Sequence, residues 1–487
     1  MSLLQERVVK AQKRLAAWQE ILLARRGLVA YIPIVVATIL LFYGASWQFF
    51  GLLSDAARYQ CYALTFWHGG AAMKQLPVVQ CRFLPPEMSI QPPLRILPLE
   101  YPPLTVLLFS LGLFAPTADY QVLFACWMAL TAIFIYCLLQ RYGPRGAALT
   151  FALYVAIGGW TTAVGRFDLV PAALTLVCII AAERRRWTLA YIALAFGVLL
   201  KLYPLLLFPP LLIAEQQDMG RLRVPPPAMT LKTALLELAV SIYEVRNWRW
   251  KNSLIFFGVL VAVTGAFALF NFQGAIGNQL SYFAGRPIQI EATGSALLWM
   301  AAQFEIFVHT EYSYGSLNLV GALGGVVSLL CMMFFVLGYA YTIWLQWRGK
   351  LDIVQASIAV LLVFIATGKV FSPQYLMWIM PLLAYSNALD GLWLLCWGLI
   401  SLLSTVIYPY LYHRTNIITL VPLVPGFIET TVARNALFVL VTLSYLFNWF
   451  LARQRTPIIL KSEAQPASEP AKAPDVEPWQ GQVLPLP

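Results

Sequence analysis

The chain is built around a succession of apolar runs long enough to cross a membrane. Leu28 to Phe50, Tyr120 to Gln140, Ser253 to Phe272 and Leu319 to Leu345 are the longest, and ~20 apolar residues cross a hydrocarbon core ~30 Å thick. Backbone polar groups have no water to bond there, so each run must satisfy its own as a helix. The pattern predicts an all-α polytopic membrane protein. With 60% hydrophobic and 11% charged residues, the composition excludes a soluble globular domain. The formal net charge of +11 would suggest nucleic acid in a soluble chain. Here most lysines and arginines flank the apolar runs, as in cytoplasmic loops beside anionic lipid. Membrane lipids are the expected partners, and no nucleic acid is needed.

Residues 1–27 lack the small-residue cleavage site of a secretory signal, so the first apolar run is expected to stay as an anchor. Leu4, Val8, Ala11, Leu15, Trp18 and Leu22 form one stripe, with Lys10, Lys13, Arg14, Arg25 and Arg26 elsewhere. This predicts a cytoplasmic amphipathic helix over 1–27. A multispanning domain follows over 28–452. Its long first outer loop, 51–119, is proline-rich from Leu84 to Pro103 and is expected to carry short juxtamembrane helices. The apolar run that ends at Phe114 is too short to cross.

Later runs are Tyr120–Gln140, Gly146–Thr162, Leu169–Ala182, and a short pair, Trp187–Leu200 and Tyr203–Ala214, broken at Lys201 and Pro204. Ser253–Phe272, a half-length run to Val308, Leu319–Leu345, Ile353–Thr367, Tyr375–Tyr385, Leu392–Ile407 and Asn435–Leu451 complete the series. Pairing the half-length runs as crossings gives about twelve transmembrane helices. The basic, proline-rich loop 215–251 carries a second amphipathic stripe at Leu231, Leu235, Leu238, Ile242 and Val245. The tail, 453–487, is rich in Pro, Ala and Glu and is expected to be disordered.

With both termini cytoplasmic, the arginine clusters at 141–145, 184–186, 221–223, 246–251 and 348–350 all fall inside, as the positive-inside rule asks. The same topology turns outward Asp55, the Tyr101 turn, GRFD (165–168), Lys201, GRPIQIE (285–291), GKVFSPQ (368–374) and His413. Cys61 and Cys81 share the first outer loop and can close a disulfide if that side is oxidising. Cys126, Cys137, Cys178, Cys331 and Cys396 sit within apolar runs and read as small core residues.

The stretch SDAARYQCYA, Ser54 to Ala63, spaces Asp55, Arg58, Tyr59 and Tyr62 three and four residues apart, on one face of a helix. That face is not a lipid face. Asp55 can serve simply as an interfacial residue capping a helix after Ser54. Its position beside the other outward polar groups favours a chemical role. Arg166, Lys201, Arg286 and Lys369 are cations at or near membrane depth, where an unpaired charge costs several kcal/mol. Converging on one cavity they would hold an anion, most simply a phosphate. Alternatively, Lys201 and Lys369 pair with Asp168, Glu100 or Glu291 to hold the bundle together, and Asp168 caps the helix after it.

If the phosphate belongs to a polyprenyl carrier, its tail can lie in the bilayer while a sugar enters the cavity. Transfer then needs one carboxylate, Asp55, to take the acceptor hydroxyl's proton, and cations to steady the departing phosphate. Phosphate leaves without an acid, unlike the leaving groups of two-carboxylate glycosidases. Arg58, Tyr59, Tyr62, Glu100, Tyr101, Asp168, Tyr203, Glu291, Gln374, Tyr375 and His413 are expected around the substrates. No dinucleotide or P-loop motif is present. His68, His309 and His413 lack metal-ligand spacing, so no metal and no cofactor are expected.

Asp55 with its Tyr-rich helix, YPPL (101–104), GRFD (165–168), KLYP (201–204), RPIQIE (286–291) and SPQYLMWIMPL (372–382) together resemble glycosyltransferase family 87. That family comprises multispanning type C enzymes and includes polyprenyl-phosphate-mannose-dependent mannosyltransferases. The similarity runs from about Asp55 to Leu382. It implies a lipid-linked donor, most often of mannose, a lipid or glycan acceptor, and reaction at the extracytoplasmic face of the cell membrane. It also implies inversion from a β-linked donor to an α-linked product with Asp55 as base. The chain departs from many type C enzymes in lacking an Asp-x-Asp pair in the first loop. A transporter or flippase of a lipid-linked sugar is the rival expectation. It would place its site near the midplane, between repeated halves.

Overall fold

A computed structural model describes residues 27–223, 245–386, 388–415 and 417–447, with Thr233, Glu237, Val240 and Tyr243 between the first two stretches. The amphipathic helix expected over 1–27, the stripe at Leu231, Leu235, Leu238 and Ile242, and the expected disordered tail 453–487 lie outside the described residues.

The first apolar run forms α1, Ile32–Ala45, between short 3-10 turns. The 51–119 segment then folds into α2, Asp55–His68, a series of 3-10 turns and the short α3, Thr105–Ser110. Next come α4 (Tyr120–Tyr142), α5 (Ala147–Gly158), α6 (Leu169–Glu183), α7 (Trp187–Leu200) and α8 (Phe208–Asp218). The second half contains α9 (Lys251–Ala268), α10 (Asn278–Gly285), strand β1 (Ile288–Gln289) and α11 (Ser295–Gln303). Strands β2 (Val308–Ser313) and β3 (Ser316–Gly321) precede α12 (Gly324–Trp347), α13 (Ile353–Thr367), α14 (Tyr375–Ser386), α15 (Gly391–Thr405) and α16 (Phe427–Leu446).

Among the described residues six helical segments are long and apolar enough to cross a membrane, and six further apolar helices are shorter. The protein is therefore a mostly helical chain compatible with a polytopic membrane protein. The outward faces agree with lipid as the surrounding solvent. On α9, Leu254 and Val261 are exposed, and on α12 so are Leu329, Met332 and Phe334. Patches of that kind in water mark unfinished surfaces. The buried core lies where the short helices meet: α5, α6, α13 and α14 contribute residues such as Phe151, Leu176, Leu362 and Ile379.

Several expected boundaries move, each for a local reason. The all-α expectation is corrected by an antiparallel sheet in the order β1-β3-β2, with Thr310 opposite Leu319 and Ile288 opposite the same residue on the other side. The end of the apolar run at Val308 and the start of the Leu319 run are therefore strand, while the body of the first run forms α11. Alternation explains it: Leu317 and Leu319 turn inward to a small core with Ile288, Ile290 and Val327. The loop expected from residue 215 starts later, because α8 continues to Asp218. Glu215 faces inward and accepts from Tyr191 Oη at 2.8 Å and Asn252 Nδ2 at 2.6 Å. The last span begins at Phe427 rather than Asn435, since Arg434 finds a partner inside the protein. Among the other cysteines, Cys178, Cys331 and Cys396 are buried, but Cys126 is exposed.

The structure joins Cys61 to Cys81, with Cα atoms 5.8 Å apart across 20 residues of sequence. The bond ties α2 to the 3-10 turn Val78–Cys81. Closing a loop of this size stabilises a fold by about 3 kcal/mol. Cys61→Ser combined with Cys81→Ser is expected to lower the thermal unfolding temperature and to open the 51–119 segment to proteolysis. An unchanged melting curve and digestion pattern would show that the bond contributes nothing there.

Candidate active site

The site begins at the N-terminus of α2. Ser54 stands at the N-cap with extended backbone, and its Oγ accepts from Ala57 N at 3.1 Å. The same hydroxyl donates to Gln121 Oε1 of α4 at 2.7 Å, so the helix start is fastened to a long apolar helix. Asp55 is the first helical residue, where helix dipole and orphan N–H groups favour an anion.

Arg166 comes from the turn between α5 and α6 and pairs through Nε with Asp55 Oδ2 at 2.6 Å. That turn is pinned by Gln48, whose Nε2 donates to Thr161 O at 2.7 Å. Gly165 allows the close approach, since a Cβ there would meet Gln48 Oε1 at 2.8 Å. Asp55 Oδ1 has Arg58 NH1 at 3.8 Å, and no hydrogen bond reaches it from the described residues. Arg58 NH2 lies instead 2.5 Å from Glu100 Oε1. Tyr62 Oη donates to the other Glu100 oxygen at 2.6 Å. Burial pushes the Tyr62 phenol well up, which keeps it a donor.

Lys201 occupies the break between α7 and α8 and donates to Asp168 Oδ1 at 2.5 Å. Trp378 Nε1 of α14 donates to the same oxygen at 2.6 Å. The pairing that the sequence left open for Lys201 is thus made with Asp168, just before α6. Lys201 also faces the rings of Phe167 at 5.0 Å and Trp378 at 5.1 Å. Trp378 stacks between Tyr203, at 4.3 Å, and Tyr375, at 3.9 Å. Of that stack the ammonium faces Trp378, the middle ring.

The hairpin supplies the opposite wall. Arg286 NH2 donates to Ser316 Oγ at 2.9 Å and NH1 donates to Tyr282 Oη at 3.1 Å. Tyr282 Oη in turn donates to Tyr314 O at 2.9 Å. Among the described residues Arg286 has no carboxylate at ion-pair distance, and its buried Nε has no hydrogen-bond partner. Gln289 fixes the next segment by donating to Ser372 Oγ at 2.9 Å and accepting from Phe371 N at 3.0 Å. Below it Glu291 accepts from Tyr412 Oη at 2.8 Å and faces Arg434 NH1 at 3.5 Å. Arg434 is wholly buried, donates through NH2 to Glu291 O at 2.5 Å, and lies 3.9 Å over the Phe371 ring.

These groups enclose a cavity of about 460 Å³. It is lined by Asp55, Arg58, Glu100, Tyr101, Arg166, Lys201, Tyr203, Arg286, Glu291, Gln374 and Tyr375, all expected around the substrates. Tyr59, Tyr62, Asp168, Lys369 and His413 do not line it. Tyr59 stacks on Phe109 at 4.2 Å within the core, Tyr62 supports Glu100, and Asp168 lies behind Lys201. His413 packs edge-on against Trp47 at 4.3 Å and is exposed. Lys369 lies near enough to Arg286 to feel its charge, and its carbonyl accepts from Gln289 N at 2.8 Å.

Sequence reading missed Tyr282, Tyr312, Tyr314, Gln289, Trp378, Tyr408 and Tyr412 in the lining, and Arg434 behind Glu291. Arg434 carried a usable signal, a lone arginine at the edge of an apolar run. The hairpin tyrosines, Tyr312 and Tyr314, carried none, because they fall between the apolar run to Val308 and the one from Leu319, in a segment that reads as a polar turn.

The chain matches no protein-family model, and no curated protein matches it significantly.

The Lys201–Asp168 pair is testable as a unit. Lys201→Met strands a buried carboxylate and is expected to cost about 3–5 kcal/mol, whereas Lys201→Met with Asp168→Asn should recover most of that loss. Thermal unfolding in detergent reads both. Additive losses in the double variant would mean that the two residues act separately.

Proposed function

We propose that this protein is an inverting glycosyltransferase of type C architecture that moves a hexose, most simply mannose, from a polyprenyl-phosphate donor to a lipid or glycan acceptor. The observation that carries the reading is Asp55, held by Arg166 on one oxygen and without a hydrogen bond on the other, within a cavity that also presents Arg286, an arginine without a carboxylate partner among the described residues. A base and an anion site in one chamber are the groups that glycosyl transfer from a phosphate requires.

The step balances simply. The acceptor O–H gives its proton to Asp55 Oδ1 as its oxygen attacks the anomeric carbon. The bond from that carbon to the phosphate oxygen breaks, and the phosphate leaves with the electron pair. Attack opposite the leaving group inverts the centre. Arg286 meets the developing phosphate charge, and Lys201 has two N–H donors beyond the one given to Asp168. Tyr203 and Tyr375, which line the cavity on either side of Trp378, offer aromatic surface to a sugar, and Asp55 itself contacts the acceptor. Metal and organic cofactor have no part in this scheme.

One side of the cavity supports a lipid donor. Leu202, Leu205 and Leu206, after α7, and Phe364 and Val370, at the end of α13, line it, and Leu205 is 42% exposed. A prenyl chain can leave the chamber across these side chains into the bilayer. About twelve crossings with both termini cytoplasmic would set the chamber on the extracytoplasmic side of the cell membrane. The Cys61–Cys81 disulfide suits that side, where thiols oxidise.

Purified protein in liposomes, given labelled polyprenyl-phosphate mannose and candidate lipid acceptors, is expected to form an α-linked product. Asp55→Asn should lower the rate by ~10²–10⁴ while donor binding persists. Normal transfer by the variant refutes the base assignment. Movement of labelled donor between leaflets with no transfer by either protein would make this a flippase.

A further inference from the structure

Arg58 stands one turn along α2 from Asp55, a spacing that ordinarily lets an acid and a base meet on a helix surface. Its guanidinium nevertheless stops 3.8 Å from Asp55 Oδ1, outside hydrogen-bond reach. Three contacts hold it away. Glu100 Oε1 draws NH2 to 2.5 Å. The Phe83 ring lies 4.6 Å below the guanidinium. The hairpin tip closes behind it at Gly315, where a Cβ would meet Arg58 NH1 at 2.8 Å. Glu100 is itself fastened, because Tyr62 Oη donates to Oε2 at 2.6 Å and Leu99 N donates to that phenol at 3.1 Å.

We propose that Glu100 is a positioning residue that draws Arg58 off Asp55 and so keeps Oδ1 open to the acceptor hydroxyl. The inference rests on the reading of Asp55 as base. Arg166 already occupies Oδ2 at 2.6 Å. A second guanidinium on Oδ1 would take the remaining lone pairs and favour the ionised carboxylate, which weakens it as a base. Asp55 is faced by Arg58 and Tyr59 of its own helix, Arg166 before α6, Glu100 and Tyr101 of the outer loop, Lys201 after α7, Tyr312 of β2 and Tyr408 after α15. The phenols carry no charge at neutral pH, and Lys201 and Arg166 have carboxylate partners where they stand. Arg58 is the cation that stands 3.8 Å from Oδ1 while paired with a different carboxylate.

Glu100→Gln keeps the shape and an acceptor for Tyr62 while removing the charge that holds Arg58. Transfer at neutral pH is expected to fall about tenfold or more, and the acid limb of kcat/KM to move down by about one pH unit. Arg58→Met in the Glu100→Gln background removes the intruding cation and should return the limb and part of the rate. A second readout needs no sugar: the pH midpoint for carbodiimide modification of Asp55, followed by peptide mass spectrometry, should fall in Glu100→Gln and return in the double variant. An unmoved midpoint overturns the proposal. So does a double variant no better than the single one, which marks a structural role, or a raised KM with an unmoved limb, which marks direct substrate contact. Shifted midpoints without any transfer by the wild-type protein would uphold the link from Glu100 to Asp55 and refute the base reading alone.

Discussion

A cation carried to membrane depth has to meet an anion there, since stranding either costs several kcal/mol. Three answers to that constraint hold this protein's polar interior together. Glu100, Arg58, Asp55 and Arg166 alternate in sign from the 51–119 segment through α2 to the turn before α6. Lys201 and Asp168 join the break after α7 to the start of α6, with Trp378 of α14 on the same oxygen. Arg434 of α16 meets Glu291, just past β1, and Tyr412 completes that cluster. Each set draws on segments remote in sequence, so each is a tertiary tie as well as a neutralised charge. The chamber is the space these ties leave between them.

The helices that bring these groups together are short. At 1.5 Å per residue, the 14 residues of α7 rise ~21 Å, less than a hydrocarbon core of ~30 Å. The broken backbone after α7 is acceptable at such depth because it lines a polar cavity rather than lipid. Lys201 N still bonds to Gly197 O at 2.9 Å, so the helix is closed before the chain turns. Polar side chains at a break of this kind can point inward without interrupting any lipid-facing surface.

What the sequence made legible follows from the same physics. Apolar length marks the long helices α4, α9 and α12, and a lysine between leucines marks the break at Lys201, because both are local signals. Asp55, Arg166 and Lys201 were readable as a convergent set for the reason that ionisable residues are costly in an apolar stretch. Which acid meets which base was not readable, since that depends on contacts such as Lys201 with Asp168 across 33 residues. The hairpin was lost because Leu317 and Leu319, seen beside the apolar run of α12, carry the period of a strand for only a few residues. Tyr59 and Tyr62 were misjudged as lining because helix periodicity gives a face but not what covers it. Phe109 and Glu100 cover them here.

The distribution of partners also bears on which chemistry the chamber can support. Of the carboxylates at or behind its walls, Glu100, Asp168 and Glu291 are each committed to a cation and to a second donor: Tyr62, Trp378 and Tyr412. Glu100 Oε1 and Glu291 Oε2, like Asp55 Oδ1, accept no hydrogen bond from the described residues, but they are buried against Arg58 and Arg434, whereas the Asp55 side chain is 21% exposed. A glycosidase needs two carboxyl groups free to act, one of them to protonate the departing oxygen. With a single exposed carboxylate among these four, the proposed transfer suits a donor whose leaving group departs unassisted by an acid, as a phosphate does. Arg286, lacking a carboxylate partner among the described residues, is where such an anion would complete the alternation of charge that the rest of the site already obeys. The proposal of a phosphate-linked donor thus rests on which acids are exposed and which bases lack a carboxylate among the described residues, as well as on the motifs.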